Sequence, residues 1–134
     1  MVLFGCGAKK APGVQNGRLA PCPSSPNCVS SADKDAPPLP MAPDGPEDSI
    51  AKLAAVVESM DRSAVVTRAE TYLHATFASP LFRFTDDVEF FADADAGVVH
   101  FRSAARSGWY DFGVNGRRME KIRERYKETL ARRD

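Results

Sequence analysis

No stretch of the 134-residue chain approaches the run of about 18 apolar residues that a membrane-spanning helix needs. Charge of one sign is missing too. Lys plus Arg and Asp plus Glu both number 18, so the formal net charge is zero. A general polyanion binder draws its affinity from surplus Lys and Arg that release counterions, so nucleic acid is not the expected partner. Only two histidines are present, His74 and His100, and they are not spaced as a metal pair. The chain has no Ser-His-Asp order, no phosphate-cradling glycine loop and no dinucleotide fingerprint. No cofactor or metal is therefore expected, and enzymatic activity is not the leading reading.

What is present is unevenly placed. Nine of the ten prolines lie between Pro12 and Pro46, and all three cysteines precede Val29. Seven of the eight phenylalanines lie between Phe77 and Phe112. An extended, cysteine-bearing front piece is thus joined to an aromatic-rich domain.

Met1-Val2-Leu3-Phe4-Gly5-Cys6 is short, apolar and ends in Gly-Cys, like the last residues of a lipoprotein signal with Cys6 as the acylated residue. It lacks a basic n-region and a full apolar h-region, so the true start is expected upstream or Cys6 is an ordinary thiol. Residues 7–18 read as a flexible tether. Cys22-Pro23-Ser24-Ser25-Pro26-Asn27-Cys28 brings two cysteines together across a proline-rich loop, which suits a disulfide. Free structural thiols are the alternative. Metal or redox chemistry is less well supported, because zinc wants four ligands and redox pairs the Cys-x-x-Cys spacing. Pro37, Pro38, Pro40, Pro43 and Pro46 then describe a polyproline-like linker from Asp33 to Pro46, the last part of a proline-rich arm over residues 19–46.

From residue 47 the pattern becomes regular. Asp44 is a candidate cap for a helix carrying Ile50, Leu53, Ala54, Val57 and Met60 on one face. Ala64–Ala69, Thr71–Ala78, Phe82–Phe84, Val88–Ala92 and Val98–Ala105 are strand candidates. A last helix from Val114 presents Met119, Ile122, Tyr126 and Leu130 as a stripe. The expected fold is α+β: an antiparallel sheet of four to five strands, two helices on one face, and the disulfide-closed arm. Phe77, Phe84, Phe90 and Phe101 are expected to pack on Leu53, Val57, Ile122 and Tyr126. Residues 19–134 then form a single domain, with residues 47–134 as its helix-sheet-helix core.

Three polar clusters can carry chemistry. If Asp86-Asp87-Val88-Glu89 opens a strand, Asp87 and Glu89 share one face and Asp86 has the other, and paired carboxylates can hold a hard cation or act as acid and base. The segment reads more readily as a turn whose carboxylates satisfy backbone donors or pair with arginine. Arg102, Arg106, Asp111, Asn115 and Arg118 surround a glycine-containing turn before the last helix. They form either an anion site for a carboxylate or phosphate, with Asn115 capping the helix, or an ion-pair network with the nearby carboxylates. Residues 117–133 hold eight basic residues and three glutamates. That pattern suits an anionic surface, but more readily a solvated face in which Glu120, Glu124 and Glu128 pair with neighbouring bases. His74 and His100 read as surface or core fillers.

Three segments taken in order are similar to domain-of-unknown-function family 1499. They are Cys22-Pro23-Ser24-Ser25-Pro26-Asn27-Cys28, Thr85-Asp86-Asp87-Val88-Glu89-Phe90, and Arg102-Ser103 through Asp111-Phe112-Gly113-Val114-Asn115 to Arg118. The resemblance runs from about Leu19 to Ile122, departing at Ala105, where serine is common, and at Gly116, where a basic residue is common. It implies a secretion or lipoprotein signal in many members and makes the cysteine hook integral to the domain, but it lends no activity. The expected protein is an extracytoplasmic, lipid-anchored module that binds an envelope protein or a small anionic or amphipathic ligand. The alternatives are a hydrolase or transferase using Asp87 or Asp111, and a structural assembly factor of the envelope.

Overall fold

A computed structural model describes residues 11–33, 36–80, 84–108 and 110–132. Cys6, the Phe82-Arg83 part of an expected strand, and Trp109 lie outside them. The chain runs β1 (Val14–Gln15), β2 (Arg18–Leu19), β3 (Cys28–Ser30), β4 (Leu39–Pro40), α1 (Pro46–Glu58), β5 (Ser63–Arg68), β6 (Tyr72–Ala78), β7 (Thr85–Asp93), β8 (Val98–Ala105) and α2 (Val114–Arg132). β1 and β2 form a small hairpin that spans the expected boundary between tether and arm. The main sheet is antiparallel in the order β3-β8-β7-β6-β5, with β4 also pairing β8.

The fold is α+β as expected, with six strands in the main sheet rather than four or five. The arm supplies the extra pairing. Cys28–Ser30 lies along residues 102–104 of β8 and Leu39–Pro40 along residues 98–99, so the outer edge of β8 is covered. An open β8 edge would otherwise present unpaired backbone groups to other chains. The Cys22–Cys28 disulfide is formed, with Cα atoms 5.7 Å apart. α2 fastens the prolines in turn. Arg123 donates to the carbonyls of Pro37 and Pro38, and the Tyr126 hydroxyl donates to the Pro40 carbonyl at 2.7 Å.

Gly45, not Asp44, takes the cap position of α1, because its φ of 105° disfavours a residue with a Cβ. Ser49 stitches this corner, receiving the Ala42 N–H at 2.7 Å and donating to the Gly45 carbonyl at 2.9 Å. The core forms where expected: Leu53, Val57, Ile122 and Tyr126 meet Phe77, Phe90 and Phe101, all buried. Burying each such side chain contributes about 1.5–3 kcal/mol. Phe84 is the exception, 54% exposed, since it precedes the first ladder residue of β7 and strand alternation does not govern it. No helix among the described residues is long and apolar enough to cross a membrane.

The acidic cluster lies within β7 rather than in a turn, because the ladders to β6 and β8 extend back to Thr85 and Asp86. Strand alternation divides it between two environments. Asp86, Val88 and Phe90 face the helices, while Asp87 and Glu89 face the arm. Counting thiols in denatured, unreduced protein should find no more than one, from Cys6. Replacing Cys22 and Cys28 by serine should lower stability by about 2 kcal/mol, the loop entropy of so short a closure, read as a lower urea midpoint. An unchanged midpoint would show that the disulfide is idle in holding the hook.

Candidate functional site

Asn27 explains the shape of the hook. Its backbone carbonyl accepts the Ala105 N–H at 2.9 Å, and its buried side-chain amide donates to the Gly108 carbonyl. The Asn115 amide also reaches the Asn27 carbonyl at 3.3 Å. One residue between Pro26 and Cys28 thereby joins the hook to the turn after β8 and to the start of α2.

On the helix side the polar groups close on one another. Arg118 donates to Asp86 at 2.8 Å, to the Asn115 side-chain oxygen at 2.7 Å and to Ser103 at 3.3 Å, with its guanidinium 4.7 Å over the Phe77 ring. Ser103 donates to Asn115 at 2.6 Å. Asp111 accepts the Gly113 and Asn115 N–H groups at 2.8 and 3.0 Å and the Asn115 amide at 2.8 Å. The expected cap is thus reversed: Asp111 satisfies the open donors of α2, and Asn115, fully buried, bridges to the sheet and hook. Burial pushes the Asp111 carboxyl up, but the Asn115 and Gly113 donors outweigh it and hold its pKa below the ordinary value.

The arm side is different. Asp87 is buried, with His74 Nε2 at 2.8 Å and Arg106 bonding both its oxygens, at 3.0 and 2.7 Å. Burial again raises the carboxyl, and the His74 and Arg106 hydrogen bonds more than reverse it, leaving the Asp87 pKa lowered. An ionised Asp87 can only accept, so His74 carries its proton on Nε2. Arg106 is held more firmly protonated in return. Glu89 is fully buried and accepts the Tyr72 hydroxyl at 2.6 Å and the Gly13 N–H at 2.8 Å, both through Oε2. Burial, then the bond to Glu89, pushes the Tyr72 phenol well above its usual range.

Arg102 lies 3.8 Å from Glu89 Oε1, beyond hydrogen-bonding distance. Among the described residues, Glu89 Oε1 and Arg102 Nε are buried without a hydrogen-bond partner. Arg102 also lines a cleft of about 600 Å³ between the hook and the sheet, together with Cys22, Asn27, Asp87, Arg106 and Gly108.

The expected Arg102, Arg106, Asp111, Asn115 and Arg118 cluster is therefore two clusters on opposite faces of the sheet. Asp111, Asn115 and Arg118 join Asp86, whereas Arg102 and Arg106 join Asp87 and Glu89. His74 and Tyr72 were not expected to take part. The available signal was their two-residue spacing on the strand next to β7. The pairing expected for Glu120, Glu124 and Glu128 does not form either: among the described residues none lies within 4 Å of a basic group.

The geometry defines a disulfide-braced α+β domain with buried carboxylate–arginine pairs on both faces of one strand. A family model described as protein of unknown function (DUF1499) matches residues 18–125, and the chain belongs to that family. No curated protein and no solved structure matches the chain.

Because the folded pKa values of Asp87 and Asp111 lie below their unfolded values, their stabilisation is complete above the ordinary carboxylate range. It is lost as pH falls through the depressed values. Urea midpoints should therefore fall steadily from about pH 5 toward pH 2. Asp87→Ala should cost about 3 kcal/mol at neutral pH and flatten that acid slope. An Asp87→Ala variant with the wild-type slope would remove Asp87 from this account.

Proposed function

We propose that this domain is a non-enzymatic binding module of the cell envelope, and that its ligand is a small anionic, amphipathic molecule held in the arm-side cleft. The observation that carries the reading is Arg102. A guanidinium offers five N–H donors in a fixed fork, and this one is mostly buried with no hydrogen bond among the described residues. A carboxylate or phosphate group supplies the acceptors it lacks, in the bidentate geometry that arginine favours. The Arg106 guanidinium gives one edge to Asp87 and is partly exposed, so its other edge adds donors beside it. Pro12, Pro21, Pro23 and Ala104 line the same cleft and suit an apolar chain attached to that anionic group.

A hydrolase or transferase working through Asp87 or Asp111 draws less support. Each carboxyl accepts three hydrogen bonds and is held below its ordinary pKa, so neither has a proton to give at neutral pH. The Cys22–Cys28 disulfide supports residence in an oxidising compartment, and the Gly5-Cys6 string supports attachment by a lipid there.

Octanoate and octyl phosphate should shift the Arg102 and Arg106 Nε–H resonances saturably in a nitrogen-15 NMR titration. Arg102→Lys, which keeps a charge opposite Glu89 but loses the fork, should weaken binding roughly ten- to hundredfold. Arg118→Ala should lower stability and leave affinity unchanged. No saturable shift, or equal affinity in Arg102→Lys, would sink the reading. For location, the intact mass of the native protein should show an acylated Cys6, and a chain retaining an unmodified Met1 would refute the anchor.

A further inference from the structure

On the opposite side of the sheet, a groove of about 680 Å³ runs along the N-terminal half of α2, the turn between α1 and β5, and the end of β6. Arg117, Lys121 and Arg125 lie one turn apart on α2, and Arg62 faces them from the turn before β5. Among the described residues none of the four has a carboxylate within 4 Å. Asp86 in the groove is neutralised by Arg118, and Asp61 offsets one of the four cations, leaving a positive surplus.

The rim of this strip carries exposed aromatics. Phe112 is 76% exposed and Tyr110 59% exposed, and their rings meet edge to face with centroids 4.9 Å apart. The cations and the aromatics adjoin. A Cβ on Gly113 would lie 2.8 Å from Arg117 Nη1, so the Arg117 guanidinium lies against the turn that bears Phe112. Arg62 and Phe112 both hold left-handed backbone, with φ of 58° and 56°, a conformation that bulky side chains disfavour. Both residues therefore stay at the rim against a backbone cost.

We infer that this strip is a membrane-contact surface, in which Arg117, Lys121, Arg125 and Arg62 meet anionic lipid headgroups and Tyr110 and Phe112 enter the interfacial layer. Charge complementarity selects the anionic headgroup. The exposed ring pair selects a lipid surface over an acidic protein, because an aromatic tip beside cations gains from the headgroup–acyl boundary without a shaped partner pocket. The inference is independent of the arm-side cleft, which lies on the other face.

The test is flotation of the full chain carrying Cys6→Ser, so that no acyl chain contributes, with vesicles of phosphatidylcholine alone or with phosphatidylglycerol. Each basic residue near such a surface is worth about fivefold in partition. The anionic vesicles should thus bind at least about tenfold more tightly, with the gain lost at high salt. Lys121→Glu with Arg125→Glu should abolish the difference, and Phe112→Ser should weaken binding at unchanged salt dependence. Circular dichroism and melting confirm that these variants fold. Arg102→Lys should bind vesicles like the parent chain, which separates this surface from the cleft. Equal binding to both vesicle types, binding to neither, or insensitivity to the charge reversal would overturn the inference. So would binding to oligoglutamate without binding to vesicles, which would assign the strip to an acidic protein partner.

Discussion

Asp86, Asp87 and Glu89 are buried within four residues of the central strand, and the rest of the domain answers that burden. A carboxylate taken out of water is strongly unfavourable unless it is paired and hydrogen-bonded. Because strand neighbours face opposite ways, no single cation serves all three. Arg118 must come from α2 to reach Asp86, while Arg106 and His74 must meet Asp87 from the other face. Glu89 draws its donors from Tyr72 on the adjacent strand and from the Gly13 backbone. The strand thus enlists the last helix, the neighbouring strands and the front of the chain together.

This requirement makes the arm part of the fold. Without the hairpin and the hook, the face carrying Asp87, Glu89 and Arg102 would be open to water, and its ion pairs would be worth little. With them, the pairs are sheltered, and a cleft remains in which Arg102 is left short of acceptors among the described residues. The disulfide closes the hook on itself, and Asn27, beside Cys28, ties it to Ala105 and Gly108.

The two faces contribute differently. On the helix side both terminal nitrogens of Arg118 have acceptors in Asp86, Asn115 and Ser103, and that cluster locks α2 to the sheet. The unspent charge on this side lies further along α2, where Arg117, Lys121 and Arg125 face outward. On the arm side the balance is incomplete, which is why the ligand reading settles there.

Local chemistry made several features legible from residues alone. Given a strand, alternation separated Asp86 from Asp87 and Glu89, helical spacing placed Leu53, Val57, Ile122 and Tyr126 in the core, and the proline-bounded loop suggested the Cys22–Cys28 bridge. These depend on periods of two and 3.6 residues and on short loop geometry, all properties of neighbouring residues. Only the tertiary structure could decide which charges meet. Arg102 and Arg118 look like one cluster along the chain, but one belongs to a strand face turned away from the helix that carries the other. His74 joins Asp87, Gly13 joins Glu89, and β3 and β4 join β8 through contacts between segments far apart in the sequence. Such pairings are selected by burial, since a charge withdrawn from water takes whatever partner the packed layers bring within reach.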